Sequence, residues 1–238
     1  MNAKDALGRL DAYLARYADA VQTEADVERL IERFLAEQES APKRDSAQAD
    51  AALEEALARM AEDPDAARSL LARALETFPD DLRLRLAHAR ALAACGMTAP
   101  AIRACRALLR AQPDDLPGVR FLLMHLLAYT GDLAEMEAVH LRYEHYEETG
   151  MLLPLCLGAY RAGDLEAARD ALTRLRIANP GTEAFLRAAA AGERACLRPE
   201  GRVRPFTEGE LCRLAQDYAF AFAGAEPFFL WALRALAL

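Results

Sequence analysis

The sequence predicts an all-α protein, a solenoid of stacked helix pairs with helical caps at both ends, and three observations predict it. Alanine and leucine dominate the 238 residues, β-branched residues are few, and there are only 12 glycines and 11 prolines, a helix-forming composition. The similar stretches ETFPDD, RAQPDD and IANPGT place prolines at Pro79, Pro113 and Pro180, spaced by 34 residues and then by 67, which is one unit of 34 and one of 33. A turn glycine falls within the later units, at Gly96, Gly131 and Gly163.

In chain order, two helices are expected first, Ala3 to Ala18 and Glu24 to Glu39, the second preceded by Thr23-x-x-Asp26 as a cap. They form an N-terminal helical pair over residues 1–40 that either packs as a cap or moves independently. Gln38 to Gln48, QESAPKRDSAQ, reads as a linker, being polar with a proline and no apolar residue beyond alanine. The repeat array spans residues 46–181. Its first unit carries Glu62-Asp63-Pro64 where a turn glycine would lie, with Asp63 suited to cap and Pro64 to open the next helix. A degenerate unit end falls at Glu147 to Gly150.

Counting Pro180 as position 32 of a unit puts Gly163, Asp164 and Ala168 at positions 15, 16 and 20. Gly163-Asp164-Leu165-Glu166-Ala167-Ala168, Gly131-Asp132-Leu133, and the small residues Ala67, Ala74 and Ala101 together resemble the tetratricopeptide repeat, over roughly Ser46 to Pro180. Small side chains are needed there because the two helices of a unit cross closely. The sequence departs from the family pattern in lacking the aromatic at position 4 and the glycine at position 8, which reads Ala89, Met124 and Cys156. The resemblance implies a right-handed α-α superhelix whose first helices line a concave groove for a protein or peptide segment. It puts Arg83, Leu86, Arg90, Phe121, His125, Tyr129, Leu157, Tyr160 and Arg161 on that groove. Such a cationic and aromatic lining, in an otherwise acidic chain, suits an acidic or C-terminal peptide. The alternative reading of Phe121, Leu157 and Tyr160 is packing within the repeat, with the arginines solvated. The only asparagines are Asn2 and Asn179, neither on a first helix, which disfavours the asparagine clamp for a terminal carboxylate.

Beyond Pro180, residues 182–238 form a C-terminal cap: a helix from Thr182 to Cys196, the loop LRPEGRVRPF, a helix begun by the capping box Thr207-x-x-Glu210 and running to about Phe222, and a last helix from Pro227 to Leu238. From about Gln112 onward the chain loosely resembles the C-terminal end of suppressor-of-tumorigenicity type tetratricopeptide proteins and related bacterial proteins of unassigned role, a resemblance that implies no activity. PFFLWALRALAL is apolar nearly all round. It either wedges between the neighbouring helices and the array or supports a homodimer.

A net charge of -8 argues against nucleic-acid and anionic-membrane binding. The apolar stretch from Ala219 to Leu238 is split by Gly224, Glu226 and Pro227, which disfavours a membrane span. The N-terminus lacks the apolar run of a secretory signal, and the five cysteines (Cys95, Cys105, Cys156, Cys196, Cys212) contain no C-x-x-C pair, so they read as small buried apolar residues in a reducing, cytoplasmic setting. The histidines His88, His125, His140 and His145 lack the spacing of a metal site, and no phosphate-binding or nucleophile-elbow motif occurs. Cys105 beside His88 or His125 is a conceivable dyad that core packing explains better. The expected function is a noncatalytic adaptor without cofactor or metal that binds a protein segment in the groove; the alternative is an assembly protein that oligomerises through its C-terminal helix.

Overall fold

The computed structural model describes residues 43–115, 118–143, 147–192 and 203–236. The chain divides into two compact units, Met1–Ala51 and Ala52–Leu238. Both helices expected within residues 1–40 lie outside the described residues. Among the described residues there are twelve helices and no strand: α1 Lys43–Arg59, α2 Pro64–Thr77, α3 Leu82–Ala94, α4 Thr98–Ala111, α5 Val119–Thr130, α6 Leu133–Arg142, α7 Thr149–Ala162, α8 Leu165–Ala178, α9 Thr182–Ala190, α10 Glu208–Asp217, α11 Ala219–Phe222 and α12 Glu226–Leu236. This is an all-α helical-repeat solenoid.

The turns form where the sequence places them. Asp63 accepts from the Ala66 amide at 2.9 Å, with Pro64 in the first turn of α2. Gly96, Gly131 and Gly163 all hold positive φ, between 71° and 81°, a conformation glycine adopts without the Cβ penalty. Asp132 and Asp164, each following a turn glycine, cap α6 and α8 through the Glu135 and Ala167 amides. Ala67, Ala101 and Ala168 are fully buried at the crossings. Neighbouring helices pack in sequence along α2 to α8, and α5 also packs on both α3 and α7. A Cβ on Gly158 would collide with Met136 and reach the Ala128 backbone at 3.4 Å, so α7 lies tightly on α5 and α6.

Four expectations are corrected. The linker Gln38–Gln48 is helical from Lys43 onward, because nothing after Pro42 breaks the helix and the alanine- and glutamate-rich sequence favours it. The helix from Thr182 stops at Ala190, where Gly192 takes φ 69°. The helix from Glu208 ends at Asp217 and resumes as the single turn α11. Cys212 is disulfide-bonded, a pairing that sequence spacing does not reveal, while Cys95, Cys105 and Cys156 are free. Burial pushes the Cys105 thiol up to about 12 and raises that of Cys156, so both stay protonated and unreactive.

A polar device missed by the sequence reading fixes the joint between α4 and α5. Asp115, 2% exposed, accepts from the Val119 and Arg120 amides and thereby caps α5 in place of Gly118, which has no side chain to do so. The Arg120 guanidinium binds Asp115 at 3.1 Å and Glu148 at 2.8 Å and lies 4.2 Å from the Phe121 ring centre. Arg120→Met leaves the Asp115 carboxylate buried without its cation, and we expect a loss of about 3 kcal/mol in urea unfolding. The double variant Arg120→Met, Asp115→Asn should recover part of that loss.

Candidate functional site

The inner surface of the array is built on α3, α5 and α7, whose mutual packing brings the predicted groove residues together. Helix α5 holds the centre. His125 is fully buried; its Nδ1 lies 2.7 Å from the Phe121 carbonyl oxygen, which only accepts, so Nδ1 carries the proton and Nε2 is left as a buried atom without a partner. Loss of hydration depresses its pKa to about 4.

The face of that ring is covered by the chain's own C-terminal segment. Tyr218 stacks on His125 with centroids 4.0 Å apart and planes at 18°, and Phe222 meets it edge-on at 6.0 Å. Phe220 meets Tyr129 at 6.2 Å. One unit further, Tyr160 packs against Phe228 at 5.5 Å and Trp231 at 5.1 Å. Arg161 donates to the carbonyl oxygens of Ala128 at 3.2 Å and Ala223 at 3.3 Å, joining α5 to the turn after α11. Leu157 and Leu86 are buried in the core, and Phe121 is half-buried.

The break between α10 and α11 serves this contact. On a continuous helix Phe220 would point away from Tyr218; the break sets their rings 6.4 Å apart, both directed at α5. The sequence reading did not place these aromatics on the groove, although the alternation YAFAF from Tyr218 to Phe222 departs from helical period and is the signal that was available.

A buried polar cluster anchors the segment. Asn179, fully buried, donates from Nδ2 to the Thr207 carbonyl oxygen at 3.1 Å and the Glu210 carboxylate at 3.3 Å, and its Oδ1 accepts from the Gly181 amide at 2.9 Å. Glu210 also accepts from Thr149 Oγ1 at 2.9 Å and from the Phe206 amide at 2.7 Å. The expected capping box does not form: Glu210 accepts from the Phe206 amide, one residue before the N-cap, and the Thr207 hydroxyl donates to the Arg204 carbonyl oxygen. Helix α12 buries Phe228, Phe229 and Ala232 against its own chain, packing on α9 and α8, and leaves Leu230 48% exposed.

What stays open is the other end of the inner surface. A cleft of about 230 Å³ lies among Leu57, Met60, Ala93, Leu122 and Phe220, with Arg90 and Asp217 at its rim. Leu57 is 47% exposed and Arg90 is exposed. Burial raises the Asp217 pKa, and Arg213 and Arg90 counter it. Arg83 is exposed and paired with Asp81 at 2.9 Å. Among the described residues no three His, Cys, Asp or Glu side chains converge as a metal site, and no helix is long and apolar enough to cross a membrane.

Comparison with known proteins agrees with the repeat reading over part of the chain. No curated protein and no solved structure matches it. Residues 58–126 match the tetratricopeptide repeat family, a segment that runs from the end of α1 into α5 and takes in both Arg90 and His125.

Proposed function

We propose that this chain is a noncatalytic interaction scaffold that takes a protein segment at the open end of its inner surface, between α1, α3 and α11. Tetratricopeptide repeats generally mediate protein–protein interaction. The observation that carries the reading is the cleft at Leu57, Met60 and Arg90: Met60, Arg90 and Leu122 in its lining belong to the matched residues, and it remains accessible where the C-terminal segment covers His125 and Tyr160. Its apolar walls suit an apolar side chain of the incoming segment, and Arg90 suits an acidic group beside it. Arg161, spent on two backbone carbonyls, is assigned no partner contact. A cytoplasmic setting belongs to the same proposal on the strength of the three free cysteines, and the disulfide at Cys212 is the feature that tells against it.

The test is affinity capture from native lysate by immobilised wild-type chain and by the Leu57→Glu, Arg90→Glu variant, with identification by mass spectrometry. Arg90 also neighbours Asp217 and Tyr218, so the far-ultraviolet spectrum and thermal midpoint of the variant are measured beside the capture, and Leu57→Glu alone, at an exposed position, serves as the variant expected to keep the wild-type midpoint. A protein retained by the wild type and lost from the variant supports the cleft; an identical catch from both removes binding from the inner surface.

A further inference from the structure

Helices α6 and α8 both pack on α7, and between them runs a second groove, of about 510 Å³, separate from the inner surface. Buried Leu155 and Ala159 of α7 contribute to its lining. Alanines line both walls, Ala134 and Ala138 on α6 and Ala167 and Ala171 on α8, so a helix laid along it would approach closely. Leu141, 63% exposed, extends the apolar lining from the α6 wall. The charges are not balanced. Glu137 lines the α6 wall and Asp170 the α8 wall, and the lining Arg174 is held by Glu147 at 2.5 Å as well as by Asp170 at 3.4 Å. Glu147 and Asp170 thus share one guanidinium, and Glu137 adds a further carboxylate to the lining.

The geometry points to this groove as a docking site for a cationic amphipathic helix of a partner protein, one with small or leucine side chains along the buried face and Lys or Arg flanking it to meet Glu137 and Asp170. The apolar lining supplies the contact area, and the excess of carboxylate selects the sign of the partner. The site does not depend on the inner-surface cleft, so either stands if the other fails.

A displayed library of 16-residue amphipathic helices with randomised flanking charge, selected on the immobilised full chain, tests it. The expected result is enrichment of sequences with net positive charge that bind at least about tenfold more weakly to Ala138→Arg, which fills the groove, and to Glu137→Lys, Asp170→Lys, which reverses its sign. Ala138, Glu137 and Asp170 are exposed, and unchanged thermal midpoints are expected for all three substitutions. Enrichment of neutral or anionic helices, binding that survives both variants, or no enrichment overturns the proposal. Sedimentation of the unliganded chain provides the remaining outcome: a dimer abolished by Ala138→Arg would assign the groove to a second copy instead.

Discussion

Gly181→Ala is expected to lower stability by about 3 kcal/mol or more in urea unfolding, the largest effect of any single methyl group we foresee. Gly181 has an ordinary φ of -77°, so alanine strains no dihedral there. The obstacle is space: a Cβ would overlap the Glu208 amide nitrogen and stand 2.7 Å from Glu208 Cα and from the Thr207 carbonyl carbon. These are backbone atoms, which no rotamer change moves, so α10 must shift away from the start of α9. That shift would also disturb the Asn179 hydrogen bonds to Thr207 and Glu210 and withdraw Tyr218 from His125. Gly209→Ala, in the first turn of α10, is the control with opposite sign. Its Cβ would make only ordinary contacts, at 3.6 Å and beyond, and replacing glycine in a helix should add about 0.5 kcal/mol. Equal effects of the two alanines would mean that α9 and α10 do not meet in this way.

Acid is expected to weaken the chain through His125. The folded imidazole titrates at about 4 against an ordinary value of 6.5. Above pH 6.5 both folded and unfolded states hold it neutral and nothing changes. Between 6.5 and 4 the unfolded chain binds a proton that the folded chain refuses, so stability falls as pH falls through that window, by up to about 3 kcal/mol. His125→Phe keeps the stack on Tyr218 and removes both the titration and the orphaned Nε2. Urea unfolding of the two proteins at pH 7.5 and pH 4.5 isolates the effect, since His88 and the carboxylates titrate in both. The gap between wild type and variant should widen by about 2 kcal/mol at the lower pH; a constant gap would mean that His125 is not buried.

The array was legible because its determinants are local. Gly96, Gly131 and Gly163 terminate helices through their own backbone freedom, Asp63 and Pro64 replace such a glycine by capping, and Ala67, Ala101 and Ala168 recur where helices cross. A period of 34 residues displays all of these. The filling of the groove was not legible, because it depends on pairs such as His125 with Tyr218 and Arg161 with the Ala223 carbonyl, separated by 93 and 62 residues and tied to no repeat. The same residues that a repeat register places on a groove therefore meet different fates: Arg90 lines the open cleft beside Asp217 and Tyr218, while His125, Tyr160 and Arg161 are packed under the C-terminal segment. Gly181 illustrates the same limit, since its need for hydrogen in place of a side chain comes entirely from α10. The helix end at Ala190 before Gly192 was missed because alanines continue on both sides of it, and the end at Asp217 because the capping signal at Thr207 was extended through the apolar run that follows.

The chain's own C-terminal segment occupies the inner surface at His125. A nuclear Overhauser spectrum of the full chain, with histidine and tyrosine rings selectively labelled, tests it most directly. Rings 4.0 Å apart should give strong cross-peaks between the His125 imidazole and the Tyr218 ring, with the imidazole remaining neutral down to about pH 4. A His125 ring without contact to Tyr218, titrating near its ordinary value, would contradict the account and return that surface to an open groove.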